Sequence, residues 1–369
     1  MNLLDRHIIV RYLSNFALLF ALLFIFAVAI DVVVQFDEFA QAAASVAERD
    51  DRWYPAVLFQ AVVDFHGPRA FQFFAFMTGL VGVGAAGFTI VQMHRSRELI
   101  AIMAAGIPLH RVAVALLAAQ MGVVTLQLLD QEFLLPGLAS RLIREHEDIL
   151  TPGVETFEVP LMRDAKDDLL YAENLDPRRG EAEGFLVIRR DADGAAVARI
   201  TADTATWDET QAHWRLDGGR IMETTSMEGR LSTRRDLEVW ESDLSPRMLL
   251  ARQSMNFAQM LSVSQLRDLR NAGDSVDRRL DRAIFGRFAG VLVNLLVPAI
   301  VIPFFLLRSP SANMLQQSLK AAAVAIPLLL GSLATMTISL PGLPPAVSTF
   351  LPVAILLPLA IGRLAYLRS

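Results

Sequence analysis

Tyr12 to Ile30 reads YLSNFALLFALLFIFAVAI, with Arg11 before it, Asp31 after it and no charge between. A bilayer's hydrocarbon core takes roughly 20 apolar residues of helix, so this stretch predicts a membrane span. Working outward, charge-free gaps recur from Arg69 to His94, Arg111 to Asp130, Arg287 to Arg308 and Lys320 to Arg363. The first three of these are one span each. The last is too long for one and is broken by PGLPP at Pro341 to Pro345, where prolines remove backbone donors and force a turn, so it predicts two helices. Six spans follow. The whole chain agrees: 369 residues, 53% hydrophobic and only 20% charged, with a mean hydropathy of +0.40, describe an integral membrane protein.

Basic residues near span ends set the orientation. Arg6 and Arg11, then His94, Arg95 and Arg97, then Arg308 and Lys320, then Arg363 and Arg368 fall on one side, which is expected to be cytoplasmic together with both termini. The other side receives the 35–69 loop and the chain from Glu132 to about Arg282. Arg141 and Arg144 weaken the asymmetry, but long translocated segments largely escape the rule. A cleaved signal peptide competes for the first span, with Ala40–Ala42 as its cleavage site, but the apolar core is too long and the site too distant. Cysteine is absent, which fits a chain entering an oxidising space without a disulfide framework. A net charge of -5 and no basic cluster argue against nucleic acid.

Between the third and fourth spans the pattern changes. VETFEV, DLLYAENL, GFLVIRR, AVARITADTATW, HWRLDGGRI and DLEVW are short runs rich in β-branched and aromatic residues, separated by DPRRG, DADG and DETQ. Such runs predict an all-β sandwich or barrel within residues 150–250. DADG, Asp191 to Gly194, lacks the rest of a calcium loop and reads as a hairpin turn. One face of each sheet is greasy, which fits either a packed core or a lipid-holding interior. Residues 256–282 carry helical periodicity through Met260, Leu261, Leu266, Leu269, Val276 and Leu280, with Gly273 ending one helix, and predict amphipathic helices at the membrane surface.

HRSRELIAIMAAGIPLHR, His94 to Arg111, joins the second and third spans. Ser96 is placed to cap a helix, Glu98 puts an anion in its first turn, Gly106 suits a left-handed stop and Pro108 begins the next helix. A helix over 97–105 is only about 14 Å long. On a helical wheel Glu98, Ala101, Ile102 and Ala105 share one face, and Ile100 and Ala104 are expected to pack on the bundle. By itself this is either a structural elbow or a docking element.

Arg95-Ser-Arg-Glu98-Leu99, followed by Ala104-Ala105-Gly106-Ile107, resembles the coupling helix of the lipopolysaccharide-export ABC permease family, of LptF/LptG type. LLDRHIIVRYLSNF, DQEFLLPGLASRL from Asp130, the run from Ile200 through Trp214 to Gly218, and LPPAVSTFLPVAILL are similar to other parts of that family, in its order. The resemblance implies six transmembrane helices plus a periplasmic β-jellyroll inserted between helices 3 and 4. The implied layout is helices 1–3 within 1–135 with the coupling helix at 96–106, the β-domain at 150–250, interfacial helices at 256–282 and helices 4–6 within 284–369. It implies a non-catalytic subunit of the bacterial inner membrane that pairs with a second permease of its kind, as heterodimer or homodimer. Each permease seats its coupling helix in a groove of a cytoplasmic ABC ATPase, which binds ATP and magnesium; the chain itself binds no cofactor. ATP-driven closure passes lipopolysaccharide or a related acylated lipid to β-jellyroll bridge proteins. The implied coupling residues are Arg95, Arg97, Glu98, Leu99, Ala101, Ile102, Ala105 and Gly106, with Glu98 contacting the ATPase. Lipid contacts are expected at Phe24, Phe26, Leu186, Ile188, Trp207 and Trp214. Where LptG-type members carry lysines near the outer end of the first span, this chain has Asp31, Asp37 and Glu38, leaving Arg49, Arg52 and Arg69 as the basic candidates. The 35–69 loop is longer than usual, with AERDDRW suggesting a short surface helix, and the fourth span keeps Arg287 without the usual following proline.

No G-x-x-x-x-G-K-[ST], H-E-x-x-H or G-x-S-x-G occurs in the chain. Glu145, His146, Glu147 and Asp148 read as a solvated surface rather than a metal site, and Asp130 and Glu132 as hydrated carboxylates at the membrane edge. Ala75, Gly79, Gly82 and Ala86 form a small-residue stripe on the second span, suited to close packing within the bundle or across a dimer seam. A membrane-anchored enzyme and a scaffold acting on envelope lipids are the alternative classes. The enzyme lacks ionisable residues inside the spans.

Overall fold

A computed structural model of the chain describes residues 3–142, 149–150, 156–177, 179–191, 194–224, 231–253, 259–272, 278–306, 314–338 and 342–367. The 145–148 cluster, Arg144, Gly273, Val276, Arg308, Pro341 and Arg368 lie outside the described residues, as do Ala192 and Asp193. Two compact units form, residues 1–138 with 281–369, and residues 139–280.

In chain order the first unit contributes α1 (Leu3–Val34), α2 (Phe36–Arg49), α3 (Tyr54–Arg95), α4 (Glu98–Ala104) and α5 (Leu109–Leu129). A π-helical turn, Asp130–Leu134, continues α5 into α6 (Leu135–Leu142). Among the described residues, six helices are long and apolar enough to cross a membrane: Leu3–Val34, Tyr54–Arg95, Leu109–Ala139, Leu280–Phe305, Leu315–Thr337 and Pro345–Ala365.

The expected 35–69 loop is helical. α2 and the first turns of α3 form a hairpin whose seam buries Phe39, Ala43, Val57, Ala61 and Phe65, and Phe39 meets the Phe65 ring edge-on at 5.5 Å. Asp51, in the left-handed region at φ 48°, turns the chain between them. Of AERDDRW, only the first residues are helical, as the end of α2. With 42 residues, α3 is roughly 63 Å long, twice a hydrocarbon core, so about half of it extends past any span.

The second unit carries one eight-stranded antiparallel sheet: β1 (Phe157–Arg163), β2 (Leu169–Asp176), β3 (Glu181–Arg190), β4 (Ala196–Asp208), β5 (His213–Asp217), β6 (Arg220–Thr224), β7 (Leu231–Asp236) and β8 (Val239–Glu241). The order is β1-β2-β3-β4-β5-β8, with β6 on β4 and β7 on β6. HWRLDGGRI, read as one run, is two strands. The second half of β4 pairs with β5 and its first half with β6, and the corner is Gly218-Gly219. Gly218 has φ +64°, and a side chain at Gly219 would strike the Leu237 carbonyl. At DADG, Asp191 Oδ1 accepts from Ala195 N–H at 2.8 Å and Gly194 has φ 82°, closing the β3–β4 hairpin.

Trp214 is fully buried. Its indole N–H donates to Leu244 O at 2.8 Å, and its ring packs on Phe185 at 5.3 Å and Trp207 at 5.4 Å. Two short helices follow, α7 (Pro246–Gln253) and α8 (Val263–Ala272), with Leu266 buried on α8. The next helix, α9 (Arg278–Phe305), already includes residues 278–282, which were expected in the interfacial segment; it is followed by α10 (Met314–Thr337) and α11 (Pro345–Tyr366).

Replacing Trp214 with Ala removes the largest side chain of this core and strands the Leu244 carbonyl, so a loss of about 3–5 kcal/mol is expected. In the full chain it should appear as selective proteolysis within residues 139–280 at temperatures where the wild type resists.

Candidate coupling site

α4 has seven residues, and both of its ends are marked by left-handed residues. At its start Arg97 adopts a left-handed conformation, φ 59°, which reverses the chain out of α3. Ser96 does not cap α4 as expected: its Oγ lies 2.9 Å from Gln92 O and 2.7 Å from Glu98 Oε1. At its end Gly106 takes φ +72°, its N–H donates to Met103 O at 3.0 Å, and Ile107 N–H donates to Ile102 O at 3.1 Å. That pair of bonds is the Schellman stop, which favours glycine in the left-handed position. Pro108 then precedes α5 in an extended conformation.

Leu99, 1% exposed, and Ile102 anchor α4 in the cluster formed with Ile90, Met93, Leu109 and Val112. Ile100, 40% exposed, faces outward, and so do Ala101, Ala104, Ala105 and Gly106, with Arg95 and Arg97 beside them. Ile100 and Ala104 were expected inward. The left-handed Arg97 starts the helix one residue later than the expected span and turns the Leu99/Ile102 edge to the bundle. What remains outside is a shallow surface of small side chains flanked by arginines.

Glu98 is engaged within the chain. Arg11 of α1 donates from Nη1 to both carboxylate oxygens, at 2.8 and 2.9 Å, and His7 Nε2 lies 3.4 Å from Oε2. Arg11 Nε donates to Gln92 Oε1 at 3.1 Å, and Asn15 Nδ2 donates to the same oxygen at 3.2 Å and to Thr89 Oγ1 at 2.9 Å. Partial burial would raise the Glu98 carboxyl, but hydrogen bonds from Ser96 and Arg11, the Arg11 charge and the His7 contact outweigh it and hold the group below its ordinary value of 4.5. Six residues before Arg11 on α1, Asp5 Oδ1 accepts from Arg111 Nε at 3.3 Å.

Deeper in the bundle, uncharged polar groups close on one another. The Tyr12 hydroxyl donates to Gln120 Oε1 and lies 3.3 Å from Gly82 O. Gln120 Nε2 donates to Asn294 O at 2.8 Å, Asn294 Nδ2 to Gln127 Oε1 at 3.1 Å, and Gln127 Nε2 to Ala75 O at 2.8 Å. The small-residue stripe is what admits them. A Cβ at Gly79 would collide with Asn294 and one at Gly82 with Gln120, and Ala75 and Ala86 are buried beside them. The stripe therefore packs inside this chain.

Asp130 is buried rather than hydrated: it is 3% exposed, in the π-helical turn whose extra residue re-phases the helix. Glu132 lies 3.6 Å from the buried Arg287, whose guanidinium also donates to Gln131 O at 3.1 Å.

The residues expected to touch lipid are scattered. Phe24 packs on Phe73 at 5.6 Å, whereas Phe26 is 63% exposed on α1. Arg49 pairs with Asp50 at 3.0 Å, Arg52 is exposed in the α2–α3 turn, and Arg69 stacks over Phe65 some 15 residues along α3, roughly 22 Å from that turn. The three arginines form no common site. In β3 strand alternation sends Phe185 and Val187 to the buried face, and places Leu186 and Ile188 half-buried on the opposite one, away from Trp207 and Trp214.

The sequence model of lipopolysaccharide export system permease LptF/LptG matches residues 68–366. The chain belongs to this permease family. No curated protein matches it individually. The LptF/LptG match takes in α4, α5, the sheet and the later spans, and begins inside α3, so Asp5, His7 and Arg11 lie ahead of it. Those three, with Arg111 and the Tyr12, Gln120, Gln127 and Asn294 set, are the site residues that sequence reasoning missed. The polar set carried a signal, since amides inside charge-free gaps need partners in a membrane.

Because the folded Glu98 carboxyl lies below its unfolded value, its stabilising contribution is complete above about pH 4.5, where the unfolded group is ionised, and disappears as pH falls through the lowered folded value. Glu98→Gln should therefore melt below wild type at pH 7, with the gap closing under acid. Gly82→Leu, which drives a branched chain into Gln120, should lower the melting temperature at both pH values.

Proposed function

We propose that this chain is the permease subunit of an ABC transporter that extracts lipopolysaccharide or a related acylated envelope lipid from the bacterial inner membrane. α4 docks in a groove of a separate cytoplasmic ATPase, which supplies ATP and magnesium chemistry. A second permease of the same family completes the membrane pore. The eight-stranded sheet is a periplasmic β-jellyroll between the third and fourth spans and hands lipid to β-jellyroll bridge proteins, while both termini stay in the cytoplasm.

The observation that carries this reading is the outward surface of α4. Ile100, Ala101, Ala104 and Ala105 leave room for a partner's side chains, and Arg95 and Arg97 flank them. Membership of the permease family supports the same reading.

Copurification of the tagged chain from its native envelope tests this. An ABC ATPase should accompany the wild type, and Ala104→Trp, a bulky change on the outer face, should release it while the chain still folds. Retention of the ATPase by Ala104→Trp, or no ATPase with wild type, contradicts the assignment.

A further inference from the structure

The charge-free gap of α3 runs from Arg69 to His94, so residues 54–68 of the same helix lie beyond it, at the end away from α4. Raised straight, they would carry Trp53 roughly 24 Å above Arg69. That clears the headgroup layer, which adds only about 5–7 Å to each side of the hydrocarbon core.

This outer stretch is nevertheless built for an apolar neighbour. Val57, Ala61 and Phe65 fill the seam with α2, and on the opposite side of the helix Phe59, 71% exposed, and Val63 stand four residues apart. The same ridge continues through Gly67, where nothing lies within 4 Å of a Cβ, to Phe71, which is exposed inside the charge-free gap and belongs to the surface that the spans turn to the bilayer. At the tip Trp53, 75% exposed, and Tyr54 adjoin the charged turn at 49–52. Such rings, apolar in body and polar at one edge, suit a headgroup layer. The other edge of the hairpin is wet: Asp37, Gln41, Ser45 and Glu48 form one exposed stripe along α2. As a unit the hairpin is amphipathic, with α3 on its apolar side and α2 on its polar side.

Pro68 gives the hairpin a direction to lean. It has no N–H for the Asp64 carbonyl, and its ring crowds the turn before it, so the ladder opens on the proline side and bending toward the opposite face is favoured. Phe59 lies nine residues back, about two and a half turns, on that opposite face. The next carbonyl, Phe65 O, accepts from Arg69 Nη1 at 2.7 Å, a side-chain bond that serves a loosened turn.

We infer that α2 and the outer part of α3 form a membrane-surface hairpin, leaning at Pro68 so that Phe59 and Val63 rest on the bilayer face opposite α4 and Trp53 and Tyr54 reach its headgroups. Lipid is the occupant because the ridge runs on, in the same helix, into a surface that already meets lipid, and because the acidic stripe lies on the far side of the hairpin from it. The inference is independent of what docks on α4.

Spin labels test it in the full chain, which has no cysteine of its own, reconstituted into vesicles of phosphatidylethanolamine and phosphatidylglycerol. Labels at Phe59→Cys and Val63→Cys should collide more with dissolved oxygen, which concentrates in lipid, than with a water-soluble nickel chelate, and Gln41→Cys should show the reverse. Pro68→Ala, which restores the ladder bond, should move the Phe59 label toward the chelate while a label at Phe76→Cys, exposed within the span, stays in lipid. Labels at Phe59 and Val63 that meet the chelate as readily as the one at Gln41 stand the hairpin upright in water, and labels shielded from both collision partners put a protein there instead. Either result overturns the inference, and a Phe59 label that Pro68→Ala leaves in lipid overturns the hinge.

Discussion

The contact on which the site depends is the one between Arg11 and Glu98. It joins residues 87 positions apart, places a cation from the first spanning helix on the first residue of α4, and does so where both side chains are partly sheltered. Exposed ion pairs contribute little, since water screens them and two long side chains lose freedom. This one differs because its carboxylate also faces Ser96 and His7 and its guanidinium is shared with Gln92, so the ordering cost is spread over several bonds. Remove it and α4 keeps its end signals and two buried side chains, but loses its fixed bearing on α1.

Below that contact the bundle is joined by amides rather than charges. Tyr12, Gln120, Asn294 and Gln127 belong to α1, α5, α9 and α5 in turn, and the carbonyls of Gly82 and Ala75 bring in α3. In a membrane such groups gain nothing from leaving water and must find each other. Glycines on α3 make room for them. The result is specific seating of four helices that apolar side chains alone would leave free to slide.

Much of this was legible in the sequence. Charge-free gaps located the spans, alternation located most strands, and Gly106 with Pro108 marked where α4 stops. What was not legible is instructive. The α2–α3 hairpin was expected to be a loop because charges recur between Asp31 and Arg69 and leave no apolar gap long enough for a span. The inward edge of α4 was misassigned because a non-glycine left-handed residue, Arg97, sets the phase, and no local pattern announces one. Asp130 was expected to be hydrated because it is the charge that closes an apolar gap, and its burial follows from a π-helical turn that the charge pattern does not announce. The partners of Glu98 were missed because they come from another helix, and only the fold brings them together.

The most direct measurement is an experimental structure of the complex in its nucleotide-free and nucleotide-bound states. The account predicts that the exposed face of α4, formed by Ile100, Ala101, Ala104 and Ala105, lies against the ATPase in both, while Leu99 and Ile102 stay packed in the bundle. A structure in which the exposed face of α4 meets no partner in either state would contradict the account.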